Sequence, residues 1–277
     1  MDTSTFEHLK VSTEQDGHLV IVELDHGRAN EMGRDLVAEW SRLVDALEAG
    51  PARALLTFSR RRSRKGTSIF ISGANVTERA DWSPEAVRAH VTWQRETLAR
   101  LRRAPVFHVA VVDGVALGWG TEFLMTCDYR IAGPEASLSL PETGLGIIPG
   151  AGGTGELWAL IGVPQALRLG MTGERIDGDE ALRIGLVQER ADSLEAGLER
   201  ARSLCAAVAR RSPTAVAAFK RGVLAAVGQP QATRTAIEAR AYALCVESGE
   251  AARGRVAFKA MLAGGTAEWG ALEPFEP

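Results

Sequence analysis

The sequence of 277 residues is poor in cysteine and histidine. Its three cysteines, Cys127, Cys205 and Cys245, form no Cys-x-x-Cys motif. We therefore expect reduced, buried thiols of a cytoplasmic protein. The five histidines show no spacing typical of metal ligands, so no catalytic metal is expected.

The chain also lacks long apolar runs and a strong excess of one charge. No apolar run approaches the roughly 18 residues of a membrane span, and the first residues, MDTSTFEHLKV, contain no hydrophobic signal segment. Its 32 basic and 35 acidic residues give a net charge of −3, so no general attraction to nucleic acid or to a membrane is expected. The length suits one domain, or one domain with an extension.

Glycine, in contrast, is concentrated between Ala104 and Gly155. This stretch begins with an apolar, β-branched run, Val106 to Val112, that is typical of a buried strand. A glycine-rich turn, residues 113–120, leads into a helical segment that carries Glu122. A second acid, Glu142, precedes a second glycine-rich loop. Such glycines mark backbone with positive φ or close approach to another group.

This order of elements indicates a chemistry for the two acids. A strand that passes through a glycine turn into a helix leaves unpaired N–H groups directed at one spot. Two carboxyl groups beside such a spot could act as an acid/base pair around a developing oxyanion. Spacing alone leaves a second interpretation open, in which Glu122 and Glu142 are solvated and the glycines only cap a helix.

A longer comparison favours the first interpretation. The run PVFHVAVVDGVALGWGTEFLMTCDYRIA, followed by LSLPETGLGIIPGAGGT, resembles the signature of the crotonase (enoyl-CoA hydratase/isomerase) superfamily. Glycines, both acids and the Cys-Asp pair are in register, and the resemblance covers about residues 11–261. It implies an α/β fold, a crotonase-like spiral of repeated ββα units over residues 1–205. Residues 206–277 are then a helical C-terminal region for trimerisation, giving a homotrimer or a hexamer built as a dimer of trimers.

The resemblance also implies an oxyanion hole. Residues 69–79, IFISGANVTER, match the family motif F-[CSA]-[AS]-G-[AG]-[DN]-[IVL]-x-x-[ML]. In it Gly73 permits a tight turn, and the Ala74 N–H is one donor to the thioester oxygen. The second donor maps to the N–H of Trp119, after Gly118, where the family usually has glycine. We expect the donor to be retained if tryptophan adopts the same backbone conformation, and its indole could reshape the acyl or CoA channel.

Glu122 and Glu142 occupy the positions of the family's two acids. By the resemblance they would hold one water, one acid taking its proton while the other delivers a proton to C2 of the acyl chain. Mutual repulsion would help one of them to stay protonated. Retention of both acids favours a hydratase, which adds water in syn geometry and reversibly to a 2-enoyl-CoA. No cofactor is expected, because CoA is part of the substrate.

Further residues are assigned to substrate binding by the resemblance. Arg28, in the loop LDHGRANEM, and Gly150, in the second glycine-rich loop, would contact the acyl-CoA. Lys259 would reach the CoA of an adjacent subunit. For Arg28 a purely solvated role remains open. The basic run Ser59 to Lys65, SRRRSRK, is either a solvated loop or a source of cations for the CoA phosphates.

Two other functions remain open. An enoyl-CoA isomerase, or a biosynthetic tailoring enzyme acting on another acyl-CoA, would have its substrate diverted by Trp119 or by the basic run. A nucleic-acid-binding protein is the other alternative, since some family members bind RNA. The negative net charge and the lack of a basic stripe with interleaved aromatics disfavour it.

Periodicity predicts the remaining elements. Residues 7–25 alternate around Asp16-Gly17 and indicate a β-hairpin. His108 is interpreted as a satisfied core histidine. The predicted helices cover about residues 33–49, 84–103, 121–127, 194–210, 214–227 and 232–262, with one more beginning near Asp177 and a break at Ser248-Gly249.

Overall fold

The computed structural model describes residues 2–277 and shows a mixed α/β protein. The strands are β1 Leu9–Glu14, β2 Leu19–Leu24, β3 Ala54–Ser59, β4 Ile69–Ile71, β5 Phe107–Val112, β6 Val115–Leu117, β7 Tyr129–Ala132, β8 Ser137–Ser139, β9 Ile176–Asp177 and β10 Glu189–Arg190. The α-helices are α1 Arg34–Ala49, α2 Pro84–Arg103, α3 Trp119–Leu124, α4 Gly153–Thr172, α5 Gly178–Arg183, α6 Leu194–Ala209, α7 Pro213–Ala226, α8 Gln231–Glu247 and α9 Glu250–Leu262. Short 3₁₀ turns lie at Thr3–Thr5, Thr77–Arg79 and Glu142–Leu145.

The strands form two sheets. The larger has the order β1-β2-β3-β5-β7-β10, and the smaller has the order β4-β6-β8-β9. Strands β1 and β2 are the predicted antiparallel hairpin, whereas β2, β3, β5, β7 and β10 run parallel to their neighbours. In the smaller sheet β4, β6 and β8 are parallel.

The order of strands and helices along the chain repeats. Three times a strand of the larger sheet is followed by a short strand of the smaller sheet and then by a helix: β3-β4-α2, β5-β6-α3 and β7-β8-α4. The parallel strands carry helices on both faces, so most of their residues are buried, as β5 illustrates. The predicted spiral of ββα units is therefore confirmed.

The core has two parts, one on each face of the larger sheet. Trp40, Phe70 and Phe123 are among the largest fully buried side chains of the main cluster. The Trp40 and Phe123 rings lie 4.9 Å apart between centroids. The second cluster packs α6 against the other face of the sheet, with Leu198 and Cys205 beneath Val109.

The predicted helix ends are largely confirmed. Ser83 caps α2 by accepting a hydrogen bond at 3.2 Å, with Pro84 in the first turn. Asp177 caps α5 in the same way at 2.9 Å. The predicted break separates α8 from α9 at Gly249, whose φ is 81°. The helix expected over residues 121–127 lies instead at residues 119–124. Gly118, whose φ is 51°, turns the chain directly from β6 into the helix.

The C-terminal region, α7 to α9, packs beside the spiral. Lys220 of α7 donates hydrogen bonds to the Val106 carbonyl and to Asp128 Oδ2, both at 2.8 Å. The expected boundary between residues 205 and 206 falls inside α6 and stays a prediction. None of the helices described over residues 2–277 is long and apolar enough to cross a membrane.

His108 has the core position expected for it. The side chain is fully buried, and its Nε2 lies 2.9 Å from Thr57 Oγ1. Its Nδ1 has no hydrogen-bond partner among residues 2–277. The interpretation as a satisfied core histidine therefore holds for one ring nitrogen only.

Candidate active site

A cavity of about 1200 Å³ opens where β4 and β6 end. Its wall is formed by the loop after β4, by one side of α2, by the turn between β6 and α3 and by the loop that precedes α4. Strands β4 and β6 are parallel neighbours, with Ile71 paired to Ala116. Their carboxyl ends therefore bring the two glycine-containing turns together, and Leu117 O would lie 3.4 Å from a Cβ on Gly73.

Two backbone N–H groups in this wall have no backbone acceptor. The Ala74 N–H makes no backbone hydrogen bond within residues 2–277, although its neighbours Gly73 and Asn75 are both bonded to Met32. Trp119 is the first residue of α3, so its N–H has no acceptor within that helix. Both residues line the cavity. The structure thus brings together the two residues that the sequence assigned as oxyanion donors.

Tryptophan occupies position 119 without backbone strain, although the family usually has glycine there. Trp119 does not have a positive φ, whereas Gly118 has φ 51° and ψ −114°. Glycine is required on both sides of the tryptophan. A Cβ on Gly118 would lie 2.4 Å from Glu142 Oε1, and one on Gly120 would lie 2.3 Å from the Ile71 carbonyl oxygen.

The Trp119 indole lies in the protein core. Only 3% of the residue is exposed, and its ring stacks on Phe123 at 5.7 Å between centroids with an interplanar angle of 26°. The indole Nε1 is buried and has no hydrogen-bond partner among the described residues. This packing keeps most of the side chain out of the cavity that its backbone helps to line.

Glu122 projects from α3 and is buried at the cavity wall, with 3% of the residue exposed. Its Oε1 accepts hydrogen bonds from the Ala151 N–H at 2.8 Å and from the Gly153 N–H at 2.9 Å. Burial, with a smaller contribution from the nearby Glu142, raises the pKa of Glu122 to about 7, although the two N–H groups oppose the shift. The group can therefore hold or release a proton near neutral pH.

Glu142 begins the 3₁₀ turn Glu142–Leu145 on another side of the same cavity. It is 9% exposed, and burial raises its pKa above the ordinary value. Its Oε2 has no hydrogen-bond partner among residues 2–277. Two carboxyl groups thus lie near two free N–H groups, and one of them has an oxygen available for a further hydrogen bond.

The remaining predicted binding residues divide into two groups. Gly73, Gly118 and Gly150 line the cavity. Arg28 and Lys259 are exposed and lie outside the cavity wall. For Lys259 this agrees with the expected reach toward an adjacent subunit, which stays a prediction, as does the role of Arg28.

The basic run Ser59 to Lys65 also lies outside the cavity wall. Three of its arginines form ion pairs with acids of other segments: Arg60 with Glu195, Arg61 with Asp25 and Arg62 with Glu135. This supports the interpretation as a solvated loop.

Asn30 supports the loop that follows β4, and no sequence pattern assigned it a role. The residue is 1% exposed and adopts φ 51°. Its Nδ2 donates to Leu24 O, Ser59 Oγ and Phe70 O at 3.3, 3.0 and 2.8 Å. One amide therefore joins the ends of β2, β3 and β4. The only signal in the sequence is the residue type itself, since asparagine tolerates the left-handed conformation in the loop between β2 and α1.

Comparison with known proteins agrees with this geometry. The sequence pattern of the family described as "Enoyl-CoA hydratase/isomerase" matches residues 64–263. The chain belongs to this family. YngF of Bacillus subtilis (strain 168) is 32% identical over 250 residues, covering 89% of this chain and 94% of YngF. Human mitochondrial methylglutaconyl-CoA hydratase is 31% identical over 264 residues, covering 93% of this chain and 77% of that protein.

A solved structure shows the same fold over almost the whole chain. The crystal structure of an enoyl-CoA hydratase from Bacillus anthracis matches with a TM-score of 0.84 and 30% identity. It covers 95% of this chain and 99% of that one. The predicted crotonase-like fold and the assignment as an enzyme of this family are confirmed, and an acyl-CoA is the substrate class expected of the family.

Proposed function

We propose that this family member is an enoyl-CoA hydratase, which adds water reversibly and in syn geometry to a 2-enoyl-CoA to give a 3-hydroxyacyl-CoA. The observation that carries the proposal is the pair Glu122 and Glu142, which line one cavity with raised pKa values. Hydration needs one carboxylate to accept a proton and one carboxyl group to donate one. Burial of both groups supports such a division of roles.

The Ala74 and Trp119 N–H groups would bind the thioester oxygen. They stabilise the enolate that forms when C3 is attacked, and each donor contributes about 3 kcal/mol by analogy with other oxyanion holes. The free N–H groups need no rearrangement, because neither is bonded to another backbone group.

Glu122 and Glu142 would then move the protons. One carboxylate takes a proton from water as the water oxygen bonds to C3, and the other carboxyl group gives a proton to C2. The enolate collapses to the thioester, so the sum of the step is one water added across the double bond. The reverse sequence eliminates water.

The assembly and location are proposed on separate grounds. We infer a homotrimer, or a hexamer made of two trimers, because large apolar side chains are exposed on the C-terminal helices, among them Phe219, Tyr242 and Val256. The free thiols of Cys127, Cys205 and Cys245 support a cytoplasmic location.

The test is the absorbance of the enoyl-thioester band with crotonyl-CoA and longer 2-enoyl-CoAs in ¹⁸O-labelled water. A hydratase removes the band and places one label on C3 of the product. An isomerase moves the double bond and leaves the product unlabelled. Retention of the band with every 2-enoyl-CoA would contradict the proposal.

A further inference from the structure

Arg79 and Gln94 lie together in the cavity wall with unused hydrogen-bond donors. Arg79 ends the 3₁₀ turn that follows the oxyanion loop, and Gln94 projects from α2 and is only 2% exposed. Arg79 Nη2 donates to Gln94 Oε1 at 3.3 Å. The Arg79 Nε and the Gln94 Nε2 are buried and have no acceptor among residues 2–277.

No acid of the described chain forms an ion pair with Arg79. The adjacent Glu78 instead accepts hydrogen bonds from the Arg34 N–H at 3.0 and 3.3 Å and lies 3.9 Å from His90 Nε2. Burial lowers the pKa of Arg79 because the charged guanidinium is partly removed from water, and the nearby Glu78 opposes this shift in part. A half-buried cation with buried free donors requires an anion to offset this cost.

Two other arginines of the same wall differ in this respect, whereas Arg95 also lacks an ion pair within residues 2–277 and its Nε donates to the Gly150 carbonyl at 2.8 Å. Arg88 forms an ion pair with Glu85 at 2.8 Å, and Arg102 forms one with Glu156. Arg79 therefore differs from Arg88 and Arg102 in having no ion pair within residues 2–277, and from Arg95 in having a buried Nε without an acceptor beside a buried amide.

The sequence also differs from the family motif at Arg79. The family motif over residues 69–79 ends in methionine or leucine, whereas this chain has Arg79. Arg79 follows Ala74 on one loop, at a separation on the order of 10 Å, which is comparable to the length of a medium acyl chain.

We propose that Arg79 and Gln94 bind a carboxylate at the far end of the acyl group, so that the substrates are CoA thioesters of dicarboxylic 2-enoic acids. This assignment rests on the proposed hydratase function, and it adds the substrate class. The guanidinium supplies the charge and its free Nε–H, and the Gln94 amide supplies a further N–H to the same carboxylate.

Competition binding with two saturated thioesters tests the site without any turnover. Adipoyl-CoA and hexanoyl-CoA have the same number of acyl carbons and differ by a terminal carboxylate in place of a methyl group. Wild type should bind adipoyl-CoA about 10- to 100-fold more tightly, as expected for hydrogen bonds to a charged group. Arg79→Met, which restores a residue of the family motif, should abolish this preference, and Arg88→Met should retain it.

Three results would overturn the proposal. The first is equal affinity of wild type for the two thioesters, which also decides the case if Arg79→Met fails to fold. The second is an unchanged preference in Arg79→Met with both affinities close to those of wild type. The third is an equal loss of affinity for both thioesters in Arg79→Met, which would place the arginine on the CoA phosphates instead.

The hydratase reaction is a separate arm of the experiment. With 2-hexenedioyl-CoA and 2-hexenoyl-CoA, the carboxylated substrate should have a kcat/KM about 10- to 100-fold higher in wild type, and the order should reverse in Arg79→Met. Hydration of neither compound, together with a strong adipoyl-CoA preference in binding, would reject the hydratase function while supporting the carboxylate site.

Discussion

The two buried carboxyl groups of the cavity, Glu122 and Glu142, differ in how their oxygen atoms are hydrogen-bonded. Glu122 is fixed by two backbone N–H groups, whereas Glu142 keeps one oxygen without a partner. The two hydrogen bonds to one oxygen restrict the reorientation of Glu122, and the oxygen of Glu142 without a partner can receive or deliver a proton. Substitutions at the two positions should therefore have different consequences.

Glu142→Gln should lower kcat by two or more orders of magnitude, since an amide cannot exchange the proton that the reaction moves. The affinity for a saturated acyl-CoA should change little, because the side chain keeps its size and the oxyanion donors remain. Steady-state kinetics with crotonyl-CoA and competition binding with hexanoyl-CoA measure the two effects. Unchanged turnover would remove Glu142 from the mechanism.

Glu122 should make the protein less stable as the pH rises. Its pKa is about 7 in the folded chain against an ordinary value of 4.5, so the folded state binds more protons than the unfolded state between these values. Stability due to this group is therefore present below about pH 4.5 and is lost as pH rises to about 7, a difference of about 3 kcal/mol.

Glu122→Gln tests this linkage. Relative to wild type, its free energy of unfolding should increase by about 3 kcal/mol between pH 4.5 and 7.5, as followed by urea denaturation at each pH. Glu195→Gln is a suitable control, because Arg60 lowers the pKa of Glu195 on the surface, which gives a dependence of opposite sign. A pH-independent difference for Glu122→Gln would show that the carboxyl titrates normally.

Among the elements, the start of α3 decides how the site is assembled. Gly118 adopts φ 51° and lies directly against Glu142, and the next residue presents the second free N–H. One short turn thus connects the proposed oxyanion donor with Glu122 and leaves the space that Glu142 occupies from a separate 3₁₀ turn.

Gly118→Ala should displace Glu142, because the new Cβ would lie 2.4 Å from its Oε1. We expect kcat to fall about 100-fold or more and stability to fall by about 1–3 kcal/mol, the latter from the positive φ. Gly144→Ala is the matched control, since it has open space for a Cβ. Steady-state kinetics and urea denaturation of both variants provide the comparison, and equal kcat values would exclude a steric role for Gly118.

At the scale of the whole molecule, the C-terminal helices present apolar side chains that a single chain leaves in water. Val256 is 90% exposed and Leu262 is 74% exposed, both on α9. Exposed apolar residues in this concentration are typical of protein–protein interfaces. They support an assembly of several chains.

Light scattering coupled to size-exclusion chromatography should give the mass of three or six chains of 29.6 kDa each. The double variant Val256→Asp/Leu262→Asp should shift the mass toward one chain, since buried charges oppose association. Arg64→Asp, on an exposed loop, should leave the mass unchanged. A monomeric wild type would reject the proposed trimer.

The sequence by itself determined the fold class, most element ends and the identity of the four residues that meet at the cavity. Those properties are local: strand and helix periodicity, capping by Ser83 and Asp177, and glycines that permit positive φ. The start of α3 was placed slightly late, because the helix begins at a turn whose geometry is set by contact with β4 and Glu142.

Only the tertiary structure decided where the Trp119 indole lies, how far burial raises the pKa of Glu122, and that Arg79 meets Gln94. Each depends on groups far apart in the chain: Trp119 packs within a core shared with α1, Glu122 is enclosed by the loop before α4, and Gln94 comes from a different helix. Burial, desolvation and unpaired donors arise from these long-range contacts. A linear pattern fixes which residue is present but not which groups surround it.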